Sequence, residues 1–156
     1  MDLQHHLFFL TLDGKLFTAP IPKTKQLHHV LDVGTGTGIW AIDFADEHPE
    51  AQVIGIDLSP TQPQFVPPNV TFEVDDLEDA WTFGKPFDFI FARMTVGAFA
   101  NSPRFFQQSF EHLVPGGWIE CMDICNPVKA DDSSMASDTA LLQWFVFCLL
   151  DKLSAD

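Results

Sequence analysis

The chain has 156 residues, with 22 Asp and Glu against 8 Lys and Arg, which gives a formal net charge of −14. This acidic balance argues against a nucleic-acid binder or a protein that docks on anionic membranes, because both need clustered Lys and Arg. With 46% apolar residues, including 16 Phe, the composition excludes a disordered chain and the length predicts one folded domain.

The amino terminus has no basic region of the kind that begins a signal peptide, and no segment approaches the roughly 20 apolar residues of a membrane span. We therefore expect the cytosol, or the nucleus, as the compartment. The three cysteines, Cys121, Cys125 and Cys148, are too few and odd in number for a disulfide framework. They are interpreted as reduced thiols in the core.

In chain order, residues 1–26 form a separate N-terminal segment in which Asp13-Gly14 is typical of a β-hairpin turn. This segment would act as a cover or lid for a domain over 27–156. Short apolar runs rich in Val, Ile and Phe then predict five strands, at 30–33, 53–57, 70–74, 87–92 and 118–122.

Helices are predicted between these strands. The first covers 39–48 and stops at Pro49. A second has Ser102 as N-cap and Pro103 in its first turn, and buries an apolar face made of Phe106, Phe110 and Leu113. A last amphipathic helix is predicted at 137–153. The alternation of strand and helix predicts an α/β fold, with a mostly parallel sheet of about five strands and helices on both faces.

The most informative segment is VLDVGTGTGIW, from Val30 to Trp40, in which a strand runs into a glycine-rich turn that opens a helix. Glycines at this point allow a sharp bend and let a ligand approach the backbone N–H groups at the start of the helix. Asp57 comes 19 residues after Gly38, at the end of the next strand, where a carboxylate can accept from both hydroxyls of a ribose. The pattern predicts a ligand that contains a nucleoside.

The glycine spacing is less suited to a dinucleotide. The nicotinamide fingerprint is GxGxxG, whereas here the spacing is GxGxG, and Ile39 stands where a third glycine or alanine would fall. A nicotinamide-dependent oxidoreductase is therefore the weaker alternative.

The sequence resembles the class I S-adenosylmethionine-dependent methyltransferases, and within them the fungal LaeA-like branch of methyltransferase-domain regulators and enzymes of secondary metabolism. The resemblance covers most of residues 7–152. It rests on three segments in the family's order: VLDVGTGTGIWAIDFADEHPEAQVIGIDLSPTQPQFVPPNVTFEVDDLEDAW, FDFIFAR and HLVPGGWIE. It implies a Rossmann-like three-layer sandwich that takes S-adenosylmethionine and releases S-adenosylhomocysteine (SAH).

The resemblance also implies roles for particular residues. The pocket for the methionine part of the cofactor would be shaped by the first strand and its turn, that is by Asp32, Gly34, Thr35, Gly36 and Gly38. Asp57 would hold the ribose while Leu58 packs on the adenine. Asp76 would accept from the adenine amino group, and Leu77 would offer its backbone N–H. Arg93 would lie beside the methionine end.

Each acidic residue also has a purely structural interpretation. Asp32 could cap the glycine turn, Asp57 could cap Ser59 or Thr61, and the acidic run at 75–79 could be a solvated loop. Arg93 could instead pair with a carboxylate.

No catalytic residue is assigned. Methyl transfer from a sulfonium mainly requires that donor and acceptor be positioned, and a general base is needed only for an acceptor that keeps a proton of high pKa. The candidates for such a base are Glu120, Asp123, His5, His6, His28, His29 and His112. The adjacent histidine pairs point their side chains apart, so we predict no metal site.

The chain departs from the family pattern in two places. The resemblance implies that it stops before the usual C-terminal strands 6 and 7, so the fifth strand would be a sheet edge that needs cover. That cover could be a homodimer, a protein partner or the N-terminal segment. At 100–103, relatives tend to carry an Asp-Trp pair that is absent here, which affects acceptor contacts.

The leading hypothesis is a methyltransferase acting on a small molecule or a protein, and the alternative is a noncatalytic cofactor-binding or partner-binding regulatory module.

Overall fold

The structure, a computed structural model, describes residues 2–95 and 97–124. Residues 1–122 form one compact unit. Its elements in chain order are α1 (Asp2–Thr11), β1 (His29–Val33), α2 (Ile39–Glu47), β2 (Gln52–Asp57), β3 (Val70–Val74), β4 (Phe87–Arg93), α3 (Ser102–Glu111) and β5 (Leu113–Met122). The predicted helix at 137–153, Cys125 and Cys148 lie outside the described residues.

The five strands form one sheet in the order β3-β2-β1-β4-β5, and every neighbouring pair is parallel. Val33, at the end of β1, pairs with Ile56 of β2 on one side and with Ala92 of β4 on the other. The chain reverses its direction of winding between β1 and β4, which is where open α/β sheets bind ligands at the carboxyl ends of their strands. The predicted α/β class is confirmed.

Both faces of the sheet are covered, as expected for buried parallel strands. On one face α2 packs Trp40 and Phe44 against Phe89 and Phe91 of β4. The Trp40 and Phe91 rings are stacked with centroids 4.0 Å apart. On the other face α3 contributes Phe105 to a second cluster with strand residues of β1, β2 and β4. The sheet is thus held between two apolar layers.

The N-terminal hairpin prediction is wrong, because residues before Asp13-Gly14 form the helix α1. The backbone N–H of Gly14 donates to Phe9 O over 2.8 Å, and that of Asp13 donates to Leu10 O over 3.3 Å. Asp13 has φ 53° and Gly14 has φ 76°. These bonds form a Schellman-type helix end, which requires the same left-handed backbone as a hairpin turn.

The start and buried face of α3 also differ from the prediction. The N-cap is Asn101 rather than Ser102, since its side chain accepts from Arg104 N over 3.1 Å. Phe105 is buried, whereas Phe106 and Phe110 are 50% and 80% exposed. The inward face carries Gln108, whose amide accepts from Trp81 N over 3.0 Å and donates to Leu77 O over 3.3 Å. A buried but hydrogen-bonded glutamine interrupts the apolar pattern, and so the pattern indicated the wrong face.

β5 begins five residues before the predicted strand, and the segment with Pro115 and two glycines lies inside it, next to a register irregularity against β4. β3 and β5 are the outer strands of the described sheet. The N-terminal segment reaches β5, where Lys25 Nζ donates to Gly116 O over 2.6 Å.

Cys121 is exposed, which corrects its prediction as a core thiol. Among the described helices, none combines the length and apolar character needed to cross a membrane.

Candidate functional site

The glycine-rich turn after β1 is held at the carboxyl edge of the sheet by bonds to β2. Thr35 N donates to Ile56 O over 2.9 Å, and Gly36 N donates to Asp57 Oδ2 over 2.8 Å. Gly34 and Gly36 have φ of 66° and 59°, backbone angles that residues other than glycine rarely adopt. The turn therefore exposes bare backbone at the point where the sheet order reverses.

A cavity of about 370 Å³ opens beside this turn. Its walls come from β1 and its turn, the start of α2, the end of β2, the end of β4, the loop after β4, and α1. The lining residues named in the sequence prediction are Asp32, Gly34, Thr35, Gly36, Asp57 and Arg93. Asp32 and Arg93, 61 residues apart in the sequence, thus meet around one space, because parallel strands bring their carboxyl ends to the same edge.

A second cavity of about 150 Å³ lies on the other side of Asp57. Asp57, Leu58, Asp76 and Leu77, the residues predicted to hold the ribose and adenine, all line it. Leu58 is 68% exposed, so its apolar side chain is available to a planar ligand. The two cavities share the lining residues Gly34, Asp57, Thr95 and Ala98, so they are neighbours at this edge of the sheet.

Asp57 lies at the junction of the two cavities and is half-buried. Its Oδ1 accepts from Ser59 N over 2.9 Å, and its Oδ2 accepts from Gly36 N over 2.8 Å. The structural interpretation as a cap is therefore correct, but it does not compete with ligand binding. An ionised carboxylate has about four acceptor positions, so two backbone donors fix its orientation and leave capacity for two hydroxyls.

Asp32 is 3% exposed, and its Oδ2 accepts from Thr35 Oγ1 over 2.5 Å. Burial raises the pKa of Asp32 to about 7, against the lowering influence of the Thr35 hydroxyl and the Arg93 charge. A buried carboxyl of this kind gains most from a cationic ligand, because a positive charge stabilises the ionised form.

Arg93 ends β4 and lines the same cavity as Asp32. Its Nη2 lies 2.9 Å from His5 Nδ1, and its guanidinium carbon lies 5.1 Å from the centre of the Phe8 ring. Burial lowers the pKa of Arg93, opposed by the charges of Asp32 and Asp43. Arginine nonetheless stays protonated in proteins, so the cavity offers a carboxyl group and a fixed positive charge at one end.

Asp76 and Gly38 have local roles that sequence reasoning did not assign. Asp76 is exposed and its Oδ1 accepts from Glu78 N over 2.9 Å, so it shapes the loop that lines the second cavity. Gly38 has φ 80° and lies under the Phe72 ring, not among the lining residues of either cavity. A methyl group at this position would overlap that ring, so the glycine is needed for packing.

Sequence reasoning missed the contributions of α1 and of the loop after β4. Gln4 lines the larger cavity, and Asp2 Oδ1 accepts from Thr37 Oγ1 over 2.7 Å. The loop after β4 contributes Met94, Thr95, Ala98 and Phe99. Met94 has φ 58°, which is uncommon for a residue with a side chain and marks a sharp exit from the strand. The wrong hairpin prediction hid α1, and no motif marked the loop.

Three of the general-base candidates are engaged in structural bonds. Glu120 accepts from Thr18 N over 2.9 Å and from Ala19 N over 2.5 Å. His5 is bonded between two side chains, and His112 Nδ1 lies 2.9 Å from Gln108 O. His28 and His29 lie at the amino end of β1, opposite the cavities. Residues 2–95 and 97–124 contain no group of three or more His, Cys, Asp or Glu that could hold a metal ion.

Residues 3–149 match the profile of a family described as a methyltransferase domain. The chain is 43% identical over 141 residues to methyltransferase pytC of Aspergillus terreus, covering 89% of this chain and 43% of that protein. It is 42% identical over 149 residues to the secondary metabolism regulator LAE1 of Cochliobolus heterostrophus, covering 93% of this chain and 48% of that protein. The chain thus spans less than half the length of these relatives.

Among solved structures, the plantazolicin methyltransferase BpumL in complex with SAH superimposes with a TM-score of 0.58 at 20% identity. The match covers 78% of this chain and 44% of that one. At this identity the likeness concerns the fold alone.

Proposed function

Since the chain belongs to the methyltransferase-domain family, for which S-adenosylmethionine is the implied methyl donor, we propose that it binds this cofactor along the two neighbouring cavities and transfers the methyl group to a small-molecule or protein acceptor. The family assignment removes the nicotinamide-dependent oxidoreductase alternative.

The position of Asp57 between the two cavities is the observation that carries the proposal. A nucleoside with a charged amino-acid chain needs an acceptor for the ribose in the middle, a flat apolar region on one side and charged groups on the other. Asp57, Leu58 and the Asp32 and Arg93 pair provide these along the two cavities. The residues present therefore fit the cofactor.

Roles for the residues can be assigned from this fit. Asp57 would accept from the ribose hydroxyls, and Leu58 would cover the adenine while Asp76 and Leu77 meet its polar edge. Gly34, Thr35 and Gly36 would form the bare backbone against the ligand. At the larger cavity, Asp32 would face the cofactor's ammonium group and Arg93 its carboxylate, because these are the matching charges.

The cofactor supplies an activated methyl group on a sulfonium, whose departure leaves a neutral thioether. The chain's own contribution is then to hold donor and acceptor in line and to exclude water. Glu120 and His5 are bonded elsewhere, so we assign no general base. An acceptor that is already nucleophilic at neutral pH suits this arrangement best.

A noncatalytic regulatory module is the second candidate. It is favoured by the engagement of Glu120 and His5 in structural bonds. In either role we propose a cytosolic or nuclear compartment, and a homodimer or protein partner in contact with the outer strand β5.

Calorimetric titration with S-adenosylmethionine, SAH and NADH tests the proposal. We expect heat with the first two and none with NADH. Incubation with cofactor labelled on the methyl group, followed by separation of proteins from small molecules in a fungal extract, then identifies the acceptor class. Absence of binding by both S-adenosylmethionine and SAH contradicts the proposal, whereas binding without transfer to either fraction favours the regulatory module.

A further inference from the structure

We infer that His5 is a positioning residue for Arg93, and that α1 therefore helps to form the cofactor site. This inference rests on the proposed function. His5 and Arg93 are 88 positions apart in the sequence, and His5 is only 5% exposed. His5 Nδ1 lies 2.9 Å from Arg93 Nη2, and His5 Nε2 lies 3.0 Å from Asp43 Oδ2. One imidazole thus joins α1 to both β4 and α2.

The partners of the ring determine its protonation. A guanidinium can only donate, so Nδ1 of His5 must accept from Arg93 and Nε2 must carry the hydrogen that is donated to Asp43. This is the neutral form of histidine in one tautomer. Burial and the Arg93 charge lower the pKa of His5, although Asp43 opposes them. The neutral ring that the geometry requires is therefore also the favoured one near neutral pH.

The aromatic neighbours of Arg93 restrict the guanidinium further. Its carbon lies 5.1 Å from the Phe8 ring centre and 5.9 Å from that of Phe91. His5 and Phe8 are both on α1, one helical turn apart, and Gln4 of the same helix lines the cavity. A long arginine side chain loses considerable rotamer freedom when it binds, and a side chain that is already held loses less.

The effect of this arrangement is specific to one end of the ligand. An arginine has five N–H donors, so a bond to His5 leaves others for a carboxylate. Only the amino-acid part of the cofactor carries a carboxylate. Loss of His5 should therefore weaken ligands that contain this part and leave the binding of the nucleoside part unchanged.

The test compares SAH with 5′-methylthioadenosine, which has the adenine, ribose and thioether but no amino-acid part. Dissociation constants are measured by calorimetry for the wild-type chain, His5→Ala, His5→Asn and the control His6→Ala, which removes an exposed imidazole from the same helix. We expect His5→Ala to weaken SAH binding about tenfold and 5′-methylthioadenosine less than about twofold. His5→Asn, which keeps an acceptor for Arg93, should recover part of the SAH affinity, and His6→Ala should match the wild type.

A thermodynamic cycle shows whether His5 acts through Arg93. In an Arg93→Ala background, the change His5→Ala should have no further effect on SAH binding. Equal weakening of both ligands, an additive effect in the cycle, or unchanged SAH affinity in His5→Ala would overturn the inference while leaving the proposed function intact. A wild-type chain that binds neither ligand contradicts the proposed function itself, and the inference with it.

Discussion

The backbone N–H of Gly36 donates to Oδ2 of Asp57 over 2.8 Å, and this bond ties the glycine turn after β1 to the end of β2. Its donor belongs to the segment that would lie against the ligand, and its acceptor is the residue that would hold the ribose. The glycine turn and the carboxylate at the end of β2, which together form the predicted nucleoside-binding pattern, are therefore joined by a direct bond, and the turn orients the carboxylate.

Replacing Asp57 should weaken cofactor binding and loosen the turn. In Asp57→Ala the ribose hydroxyls lose a charged acceptor, so we expect SAH to bind about 2–3 kcal/mol more weakly in calorimetric titration. Asp46→Ala is the matched control, since it removes the same charge from an exposed position on α2. If the two variants bind SAH equally well, the placement of the ribose at Asp57 is wrong.

Gly38 should tolerate no side chain, although it lies outside the cavity lining. An alanine there would combine a left-handed backbone, φ 80°, with overlap on the Phe72 ring. We expect Gly38→Ala to lower the free energy of unfolding by about 2 kcal/mol or more in urea titrations. Gly84→Ala provides the comparison, since nothing lies within 4 Å of an added methyl group at that position. Similar stability of the two variants would contradict this account.

The parts of the fold that sequence could predict are those in which one local pattern has one structural solution. β1, β2, β4 and α2 were predicted to within two residues, because buried parallel strands are largely apolar runs and the glycine turn determines where α2 begins. β3 was predicted at its observed bounds, although Val70 is its only buried residue. The α3 face was wrong because Gln108 is buried through hydrogen bonds, which no hydrophobic pattern records.

The parts of the site that could not be predicted depend on contacts distant in sequence. Asp57 was identifiable because its distance from the glycine turn is set by one β-α-β unit. His5 was considered only as a general base, and nothing local to residue 5 indicates that it will meet Arg93 or Asp43. The Asp-Gly signal was interpreted as a hairpin turn, but a helix end requires the same left-handed backbone, and only the packing of α1 decides between them.

Glu120 should matter for stability rather than for catalysis. Its carboxylate accepts from the backbone N–H of both Thr18 and Ala19, and from Thr18 Oγ1 over 3.0 Å. Glu120→Ala leaves these donors without their charged acceptor, so we expect the free energy of unfolding to fall by about 2–3 kcal/mol while SAH affinity stays within about twofold. Glu47→Ala removes a carboxylate from an exposed position on α2 and should change neither. A stable Glu120→Ala chain that binds SAH but no longer transfers methyl groups would instead restore Glu120 as a general base.

Asp32 should make the stability of the chain depend on pH in the opposite sense from a typical surface carboxylate. Its folded pKa of about 7 lies above the ordinary value of 3.8, so between these values the folded state holds a proton that the unfolded chain has released. The stability that comes from this proton is present below about pH 4 and is lost as the pH rises through 7.

Asp32→Asn keeps an oxygen acceptor for Thr35 Oγ1 but does not titrate, so it isolates this contribution. Urea titrations at several pH values should show the wild type losing up to about 4 kcal/mol relative to Asp32→Asn between pH 4 and pH 7. His5, whose lowered pKa has the opposite effect on stability, is present in both proteins and cancels in the difference. Parallel curves for the two proteins would mean that the Asp32 carboxyl is already ionised in the folded chain at acid pH.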